Sequence, residues 1–231
     1  NEDRVNWGEV ASGALALNAQ QSAPAAANDG KLVAVTGVVK LAESAFIGDA
    51  PYLKPGNYLQ LVRVAEMYAW HEKKDYSRGR NSPNITYWGE WTSNIPKSSE
   101  FAEAQTHSNP TPTIAAATLA PAQAELGSYV FYPNRDMTFQ TAVTLTLSSA
   151  LLGSGQILMP ENAIYVGQTG GNNGAANPKV GDMRLRYRVV TPSSTPVTVF
   201  GKQASNAIEP YLHRNQSRFY RLVPGNFDEA K

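Results

Sequence analysis

The sequence has no cysteine, and that absence removes disulfides, zinc–thiolate centres and thiol nucleophiles together. It suits a cytosolic and a periplasmic compartment equally. Histidine is nearly as scarce: His71, His107 and His213 lie far apart, without the H-E-x-x-H or paired spacing that metal sites use. Charged residues make up 17% of the chain, against about 25% in an average globular protein. The net charge of +1 leaves no field to draw nucleic acid or anionic lipid. No stretch reaches the ~18 apolar residues of a membrane span. No G-x-S-x-G elbow exists either, since Ser154 in LGSGQ misses the first glycine by one place. TGGNNG at 169–174 has no Lys-Ser/Thr after it and no strand-to-helix junction, so it reads as a loop and not a phosphate cradle. No cofactor is implied.

What fills the space is Ser, Thr, Asn, Gln, Gly and Pro, the vocabulary of turns and neutral β surfaces. With 231 residues the chain is long enough for one large β domain or two small ones. It begins at Asn1 with neither a basic n-region nor an apolar h-region, which suggests a domain excised from a longer protein. The pattern predicts a mainly β fold with a few short helices: antiparallel sheets, elements like those of OB-type barrels, and two related lobes.

Residues 1–28 are rich in Ala and Gln and read as a connector or stem. The β domain is expected over 29–212, divided into lobes 29–112 and 113–212, with 213–231 as a tail. DGKLVAVTGVVK (29–40) opens on a turn and alternates strictly, Leu32, Ala34 and Thr36 against Val33 and Val35, with Gly37 suited to a bulge. Residues 41–57 read as a loop. In 114–131 a strand is expected before Pro121 and a short helix after it. Clean alternation returns in TFQTAVTLTLS (138–148), and 155–168 gives two short strands around Pro160. MRLRYRVV (183–190) sets Met183, Leu185, Tyr187 and Val189 against Arg184, Arg186 and Arg188, and TPVTVFGKQ (195–203) is expected as its partner strand. Val33-x-Val35-x-Gly37 and Val197-x-Val199-x-Gly201 form a weak internal repeat, the motive for two lobes. In the tail, a turn at Pro224-Gly225 precedes a helix start at Asn226.

The richest stretch is 61–93, two strands around a polar loop at 75–84, holding three of the four tryptophans, Trp70, Trp88 and Trp91. Glu66, Glu72 and Glu90 sit among them and Glu100 just beyond. Tryptophans beside carboxylates are what sugar-binding clefts use, and Glu66 or Glu72 facing Glu90 would make a glycosidase-like pair. Charges that keep a sheet soluble explain the same residues. Arg184, Arg186 and Arg188 make a basic strand face, either an anion or partner patch or a solvated surface paired with nearby carboxylates. Trp70, Trp88, Trp91, Glu66, Arg184, Arg186 and Arg188 are therefore the candidate ligand or partner surface, with no catalytic or metal-binding set among them.

Several stretches together resemble one family, transmembrane protein 43 (LUMA). They are DGKLVAVTGVVK, LVRVAEMYAWHEKK, YWGEWTSNI, Ser98-x-x-Phe101, His107-x-Asn109-Pro110, NPKVGDMRLRYRVV, VTVFGKQ and Gly225-x-Phe227. They run in the family's order along nearly the whole chain, and Arg63-x-x-Glu66-Met67-Tyr68-x-Trp70 and Asn177-Pro178-x-Val180-Gly181-Asp182-x-Arg184, one residue tighter than the family's pattern, are the most specific of them. The resemblance implies the large loop between the first and second spans of a multi-pass membrane protein. That loop lies on the extracytoplasmic side: the lumen of the endoplasmic reticulum and nuclear envelope in eukaryotes, the periplasm in bacteria. Expected partners are other membrane or envelope proteins (emerin and lamins in animals), further copies of itself, and the membrane through flanking helices. The family carries no catalytic residues to transfer. The expected role is a non-enzymatic scaffold or membrane-organising module. The alternatives are glycan or lipid binding in a cleft of the three tryptophans, and a hydrolase built on Glu66, Glu72 and Glu90.

Overall fold

A strand apolar on both sides must be covered on both sides, and 32–37 is. Val33 and Val35 face Leu59, Leu126, Phe131 and Val199 on one side, while Ala34 packs with Phe200 and Phe219 on the other. The structure, a computed structural model, describes residues 5–76, 82–139, 141–168, 174–214 and 217–227.

The chain opens with a short helix, α1 (Trp7–Ser12), followed by β1 (Leu15–Asn18), β2 (Leu32–Gly37), β3 (Val39–Lys40), β4 (Ile47–Asp49) and β5 (Leu53–Gly56). A long hairpin follows, β6 (Gln60–Asp75) and β7 (Asn84–Thr92), then β8 (Ala117–Leu119), β9 (Ala124–Leu126) and β10 (Tyr129–Phe131). Next come β11 (Thr138–Phe139), β12 (Val143–Thr144), β13 (Ile157–Met159), β14 (Ala163–Val166) and β15 (Met183–Val190). The last are β16 (Val197–Ala204), β17 (Ala207–Glu209), β18 (Tyr211–Leu212), β19 (Arg218–Phe219) and β20 (Arg221–Pro224). The mainly β expectation holds.

Two sheets carry the fold. The first has nine strands in the order β1-β2-β16-β17-β10-β9-β3, with β20 beside β16 and β11 beside β20. Only Val38 separates β2 from β3, yet β2 pairs with β16 while β3 pairs with β9 at the far end of the order, so the sheet curls back on itself. Gly37 sits at that junction. A Cβ there would lie 3.0 Å from the Ala19 Cβ and 3.2 Å from Leu126 Cδ1, so the close approach depends on its bare Cα. The second sheet runs β13-β14-β15-β6-β7, with β8 against β6 and β12 against β15. Its inner face buries Leu61, Met67, Ala69, Met183, Leu185, Tyr187 and Val189, each large apolar side chain contributing about 1.5–3 kcal/mol relative to exposure.

The internal repeat has a different meaning from two lobes. Its two copies are antiparallel neighbours in one sheet, with Val197 opposite Gly37, Val199 opposite Val35 and Gly201 opposite Val33. The halves 29–112 and 113–212 accordingly do not own a sheet each. The first sheet takes β2 and β3 from one and β9, β10, β16 and β17 from the other; the second joins β6 and β7 to β14 and β15.

Other expectations change for identifiable reasons. The stem residues are partly structured: β1 pairs in parallel with β2, and α1, capped by the Asn6 side chain, buries Val10 against Phe200 and Phe219. Beyond Pro121 the chain forms β9 instead of a helix, because Ala124 and Leu126 fill the first core and β9 pairs with both β3 and β10. The stretch 138–148 is not one strand. It crosses between sheets: β11 pairs with β20 in the first and β12 with β15 in the second. Arrival is fixed by Asn162 in the turn before β14, whose side chain accepts from Leu147 N at 2.7 Å and donates to Leu145 O at 3.0 Å. Residues 47–56, read as loop, form the β4–β5 hairpin. β15 and β16 are not partners, since β15 pairs with β6, β12 and β14, and β16 with β2, β17 and β20. The tail contributes β20 to the first sheet, and Gly225 at φ 84° makes the expected turn. The helix expected from Asn226 falls largely on 228–231, outside the described residues.

Candidate interaction surface on the tryptophan hairpin

β6 and β7 pair without a break from Met67 opposite Thr92 to Asp75 opposite Asn84. Partners in such a ladder share a face. Tyr68 with Trp91, Trp70 with Gly89 and Glu72 with Tyr87 therefore occupy one side. Ala69 with Glu90, His71 with Trp88 and Lys73 with Thr86 occupy the other. The three tryptophans do not line one cleft: Trp70 and Trp91 share a face, and Trp88 projects from the opposite one. The carboxylates are dispersed by the same geometry. Glu90 is on the far side from Glu66 and Glu72, which are six residues apart along one strand, about 20 Å at the usual rise. Neither Glu66 nor Glu72 therefore faces Glu90 across the ladder, as the expected glycosidase-like pair requires.

The face bearing Trp70 is covered by the chain at 96–109. Asn109 acts there as a one-residue strand: its Oδ1 accepts from Trp70 N at 2.7 Å and its Nδ2 donates to Trp70 O at 3.0 Å, closing a stretch of β6 edge that β15 does not reach. Ser98 accepts from Asn109 N at 2.9 Å, and a single 3-10 turn forms at Ser98–Glu100. Under this cover Glu72 Oε2 accepts from Tyr87 Oη and from Ala102 N, both at 2.6 Å, and Lys74 Nζ lies 2.9 Å from Oε1. The Tyr87 ring stacks on His107 at 3.8 Å, and His107 meets Trp70 edge-on at 4.7 Å. Burial pushes the Glu72 carboxyl up, but the hydrogen bonds from Tyr87, Lys74 and Ala102 together outweigh it and hold the pKa below the ordinary value. Burial, then the bond to Glu72, raises Tyr87. This carboxylate is held as an acceptor that organises a loop.

Farther along the same face, Glu66 pairs with two of the three arginines. Arg184 donates through Nε at 2.7 Å and Nη2 at 3.2 Å, and Arg186 through Nη1 at 3.1 Å. The Arg184 guanidinium also lies 5.0 Å from the Trp91 ring centre. Arg188 donates to Ala142 O at 2.8 Å. The basic face is thus mostly a strand surface tied to its neighbours, with Arg188 its exposed member.

On the opposite side Trp88 is 38% exposed, the most open of the described tryptophans on this hairpin. It stacks on His71 at 5.5 Å and donates Nε1–H to Glu90 Oε2 at 2.9 Å. Beyond Ala69, this side of the hairpin extends past the buried core, and Lys73, Thr86, Trp88 and Glu90 are all exposed. Residues 77–81 of the expected contact loop lie outside the described residues.

Two polar centres were not anticipated from sequence. Asp49 at the end of β4 accepts from Tyr187 Oη at 2.6 Å and from Arg63 Nη1 at 2.8 and 2.9 Å, in the core of the second sheet. Burial first, then the bond to Asp49, drives the Tyr187 pKa far upward. Asp182 gathers the turn before β15, accepting from Tyr165 Oη and Lys179 N at 2.8 Å and from Gln168 N at 3.1 Å, and Tyr165 is pushed up to about 12 by burial and by that bond. Asp182 was marked by its place in a family motif just before a β-strand, and Asp49, in a stretch read as loop, by nothing. Among the described residues no group of three or more His, Asp or Glu could hold a metal. A concavity of about 750 Å³ lies elsewhere, between α1, the turn at Gly30–Leu32 and Tyr211–Arg214.

Among the described residues no helix is long and apolar enough to cross a membrane. No curated protein and no solved structure matches the chain. The model of the family described as transmembrane protein 43 matches residues 67–231, which takes in the hairpin's outer half, Asn109, Asp182 and the arginine strand. This covers well over half of the chain, which belongs to the transmembrane protein 43 family, a family of membrane proteins.

Proposed function

We propose that this chain is the extracytoplasmic domain of a multi-pass membrane protein, tethered at both ends and acting as a non-enzymatic scaffold for other envelope proteins. One observation carries the reading. Val10 of α1 and Phe227, from opposite ends of the described chain, pack into the same apolar cluster with Phe200 and Phe219, and Trp7 stacks on Phe219 at 5.3 Å. The first and last described residues therefore leave the fold at one end, as a domain inserted between two spans requires. Membership of a membrane-protein family supports the same arrangement. The tryptophan hairpin, built in the other sheet, is the surface offered to partners.

The absence of cysteine makes the topology directly testable. A cysteine at the exposed Ser154 in the full-length protein, with any cysteine outside residues 1–231 replaced, should react with a membrane-impermeant maleimide added from the extracytoplasmic side. Labelling only after the membrane is opened would reverse the orientation. Affinity capture of the full-length protein from cross-linked membranes should enrich a reproducible set of envelope proteins, lost when the hairpin face is altered at Trp88 and Thr86. A clean blank at adequate expression would count against the scaffold. Glycan or lipid binding by the tryptophan hairpin is the weaker alternative, because Trp70 is already covered by His107 and Asn109, leaving Trp88 as its platform.

A further inference from the structure

β7 is an edge strand. It pairs with β6 on one side, and among the described residues nothing pairs with its other side. Edges of this length are normally blunted by proline, lysine, a bulge or a covering segment. β7 has none of these. Asn84–Thr92 contains no proline and no basic residue, its register with β6 is unbroken over nine pairs, and the 96–109 cover crosses the Trp70 face, bonding the Trp70 backbone and the Glu72 and Tyr87 side chains and not the backbone edge of β7. Its one charged residue is Glu90. A row of backbone donors and acceptors beside an exposed tryptophan is a template for another strand.

We propose that the occupant is β7 of a second copy, paired antiparallel about a two-fold axis through Trp88. The strand's own sequence selects that partner and that register. Full overlap of two nine-residue strands centres on Trp88, which then faces its copy. Thr86 faces Glu90, Ile85 faces Trp91, Asn84 faces Thr92, and Tyr87 faces Gly89, the one residue of the strand without a side chain. The one charge of each strand meets a hydroxyl. A slip that centres the pair on Glu90 sets two carboxylates opposite each other, which disfavours the nearest alternative on the same face. The outcome is one sheet continuous across two molecules, with the exposed Thr86–Trp88–Glu90 row of each copy laid beside the other. This inference concerns assembly and stands whether or not the membrane topology above is correct.

The test uses the complete chain in solution. Sedimentation velocity across a concentration series should show a reversible monomer–dimer equilibrium. Thr86→Lys, which sets an ammonium against Glu90 of the other copy, should tighten the dimer several-fold. Thr86→Glu, which sets two carboxylates together there, should weaken it at least as much, and Trp88→Lys should abolish it. Thr86, Trp88 and Glu90 are all exposed, and unchanged circular dichroism and thermal midpoints would show that the fold survives each change. In this cysteine-free background, Trp88→Cys alone should form an intermolecular disulfide under mild oxidation, because residues on the axis have Cβ atoms about 4.5–5.5 Å apart. Thr86→Cys alone should not, whereas a mixture of Thr86→Cys and Glu90→Cys chains should. A monomer at every concentration, a dimer indifferent to the sign of the charge at position 86, or cross-linking by Thr86→Cys but not Trp88→Cys would each overturn the proposal.

Discussion

Asp49 and Glu72 each accept a tyrosine hydroxyl at 2.6 Å and each lies beside a basic side chain, yet the two sites do different work. Asp49, with Arg63 and Tyr187, is enclosed by the core of the second sheet, and Arg63 Nε is also bonded to Ala115 O at 2.9 Å. Glu72 and Tyr87 sit on the outer face of the projecting hairpin, roofed by a single loop. In the core, Asp49 and Tyr187 are buried and the Arg63 side chain is 16% exposed, so little water can take over a missing partner. On the hairpin, the Glu72 side chain is as little exposed as that of Asp49, but its cover is a single loop, so loosening that loop from the strand admits water. The comparison teaches that a carboxylate–tyrosine pair is not by itself a sign of catalysis or of stability; its surroundings decide which part of the molecule depends on it.

The sharpest way to break the comparison is Asp49→Ala. It leaves the largely covered Arg63 guanidinium without its counter-ion, and it should cost about 3 kcal/mol in denaturant unfolding, the low end for a broken buried pair. The loss should be global, with the whole chain unfolding at a lower midpoint. A cost no greater than that of Glu72→Ala would show that the two sites are not different in kind. Tyr187→Phe is the milder probe of the same centre. It removes one hydrogen bond to a charged acceptor and should cost about 1.5–3 kcal/mol, since Asp49 keeps Arg63.

Next in size is a change on the hairpin that acts through packing. A Cβ on Gly89 would lie 2.5 Å from Tyr68 Cε1, so Gly89→Ala must displace the Tyr68 ring from its edge contact with Trp91. Because Tyr68 is only partly buried and has room to move, about 1 kcal/mol is expected, the low end of overpacking costs. The readout is the thermal midpoint together with the near-ultraviolet circular dichroism of the tryptophans.

How far the sequence reaches can be judged on the same two regions. The hairpin was legible: alternation and turn residues located both strands, and the arginine strand showed its apolar and basic faces correctly. What alternation could not convey is register. Whether Glu90 stands opposite Glu72 or Ala69 depends on which residues pair, and that divided the tryptophans between two faces. The core site was not legible, because Asp49 and Tyr187 are 138 residues apart and the segment around Asp49 reads as loop. The Val-x-Val-x-Gly repeat was seen but misread, since similar strands arise equally in related lobes and in neighbours within one sheet. Family motifs marked Asn109 and Asp182 without their roles: closing a strand edge in one case and gathering a turn in the other. Both roles rest on side chains bonding to backbone far away in sequence or across a loop, which no period of two or 3.6 encodes.

A smaller and more local effect is expected at Tyr87. Tyr87→Phe removes the hydroxyl that bridges Glu72 Oε2 and Glu103 N, the latter at 2.9 Å, while leaving the ring stacked on His107. Hydrogen exchange at Ala102 and Glu103 should accelerate, with the global midpoint unchanged. An equal fall in the global midpoint would instead make the hairpin cover part of the main cooperative unit.

The smallest effect is the pH dependence of that cover, and its sign follows from Glu72. The folded pKa is below the ordinary glutamate value, so the folded state favours the ionised carboxylate, and its contribution is complete above the unfolded pKa, about 4.3. As the pH falls below that value and through the lower folded pKa, the contribution is lost, and the 96–109 segment should loosen from β6 before the sheets unfold. Amide protection at Ala102, whose N–H donates to Glu72, should stay flat down to the ordinary glutamate range and decline only beneath it. Glu72→Gln should remove that acid limb while retaining an acceptor for Ala102. A decline that sets in above the ordinary range would mean that burial outweighs the hydrogen bonds from Tyr87, Lys74 and Ala102, and that Glu72 is a carboxyl poised to pick up a proton, not an anchored acceptor.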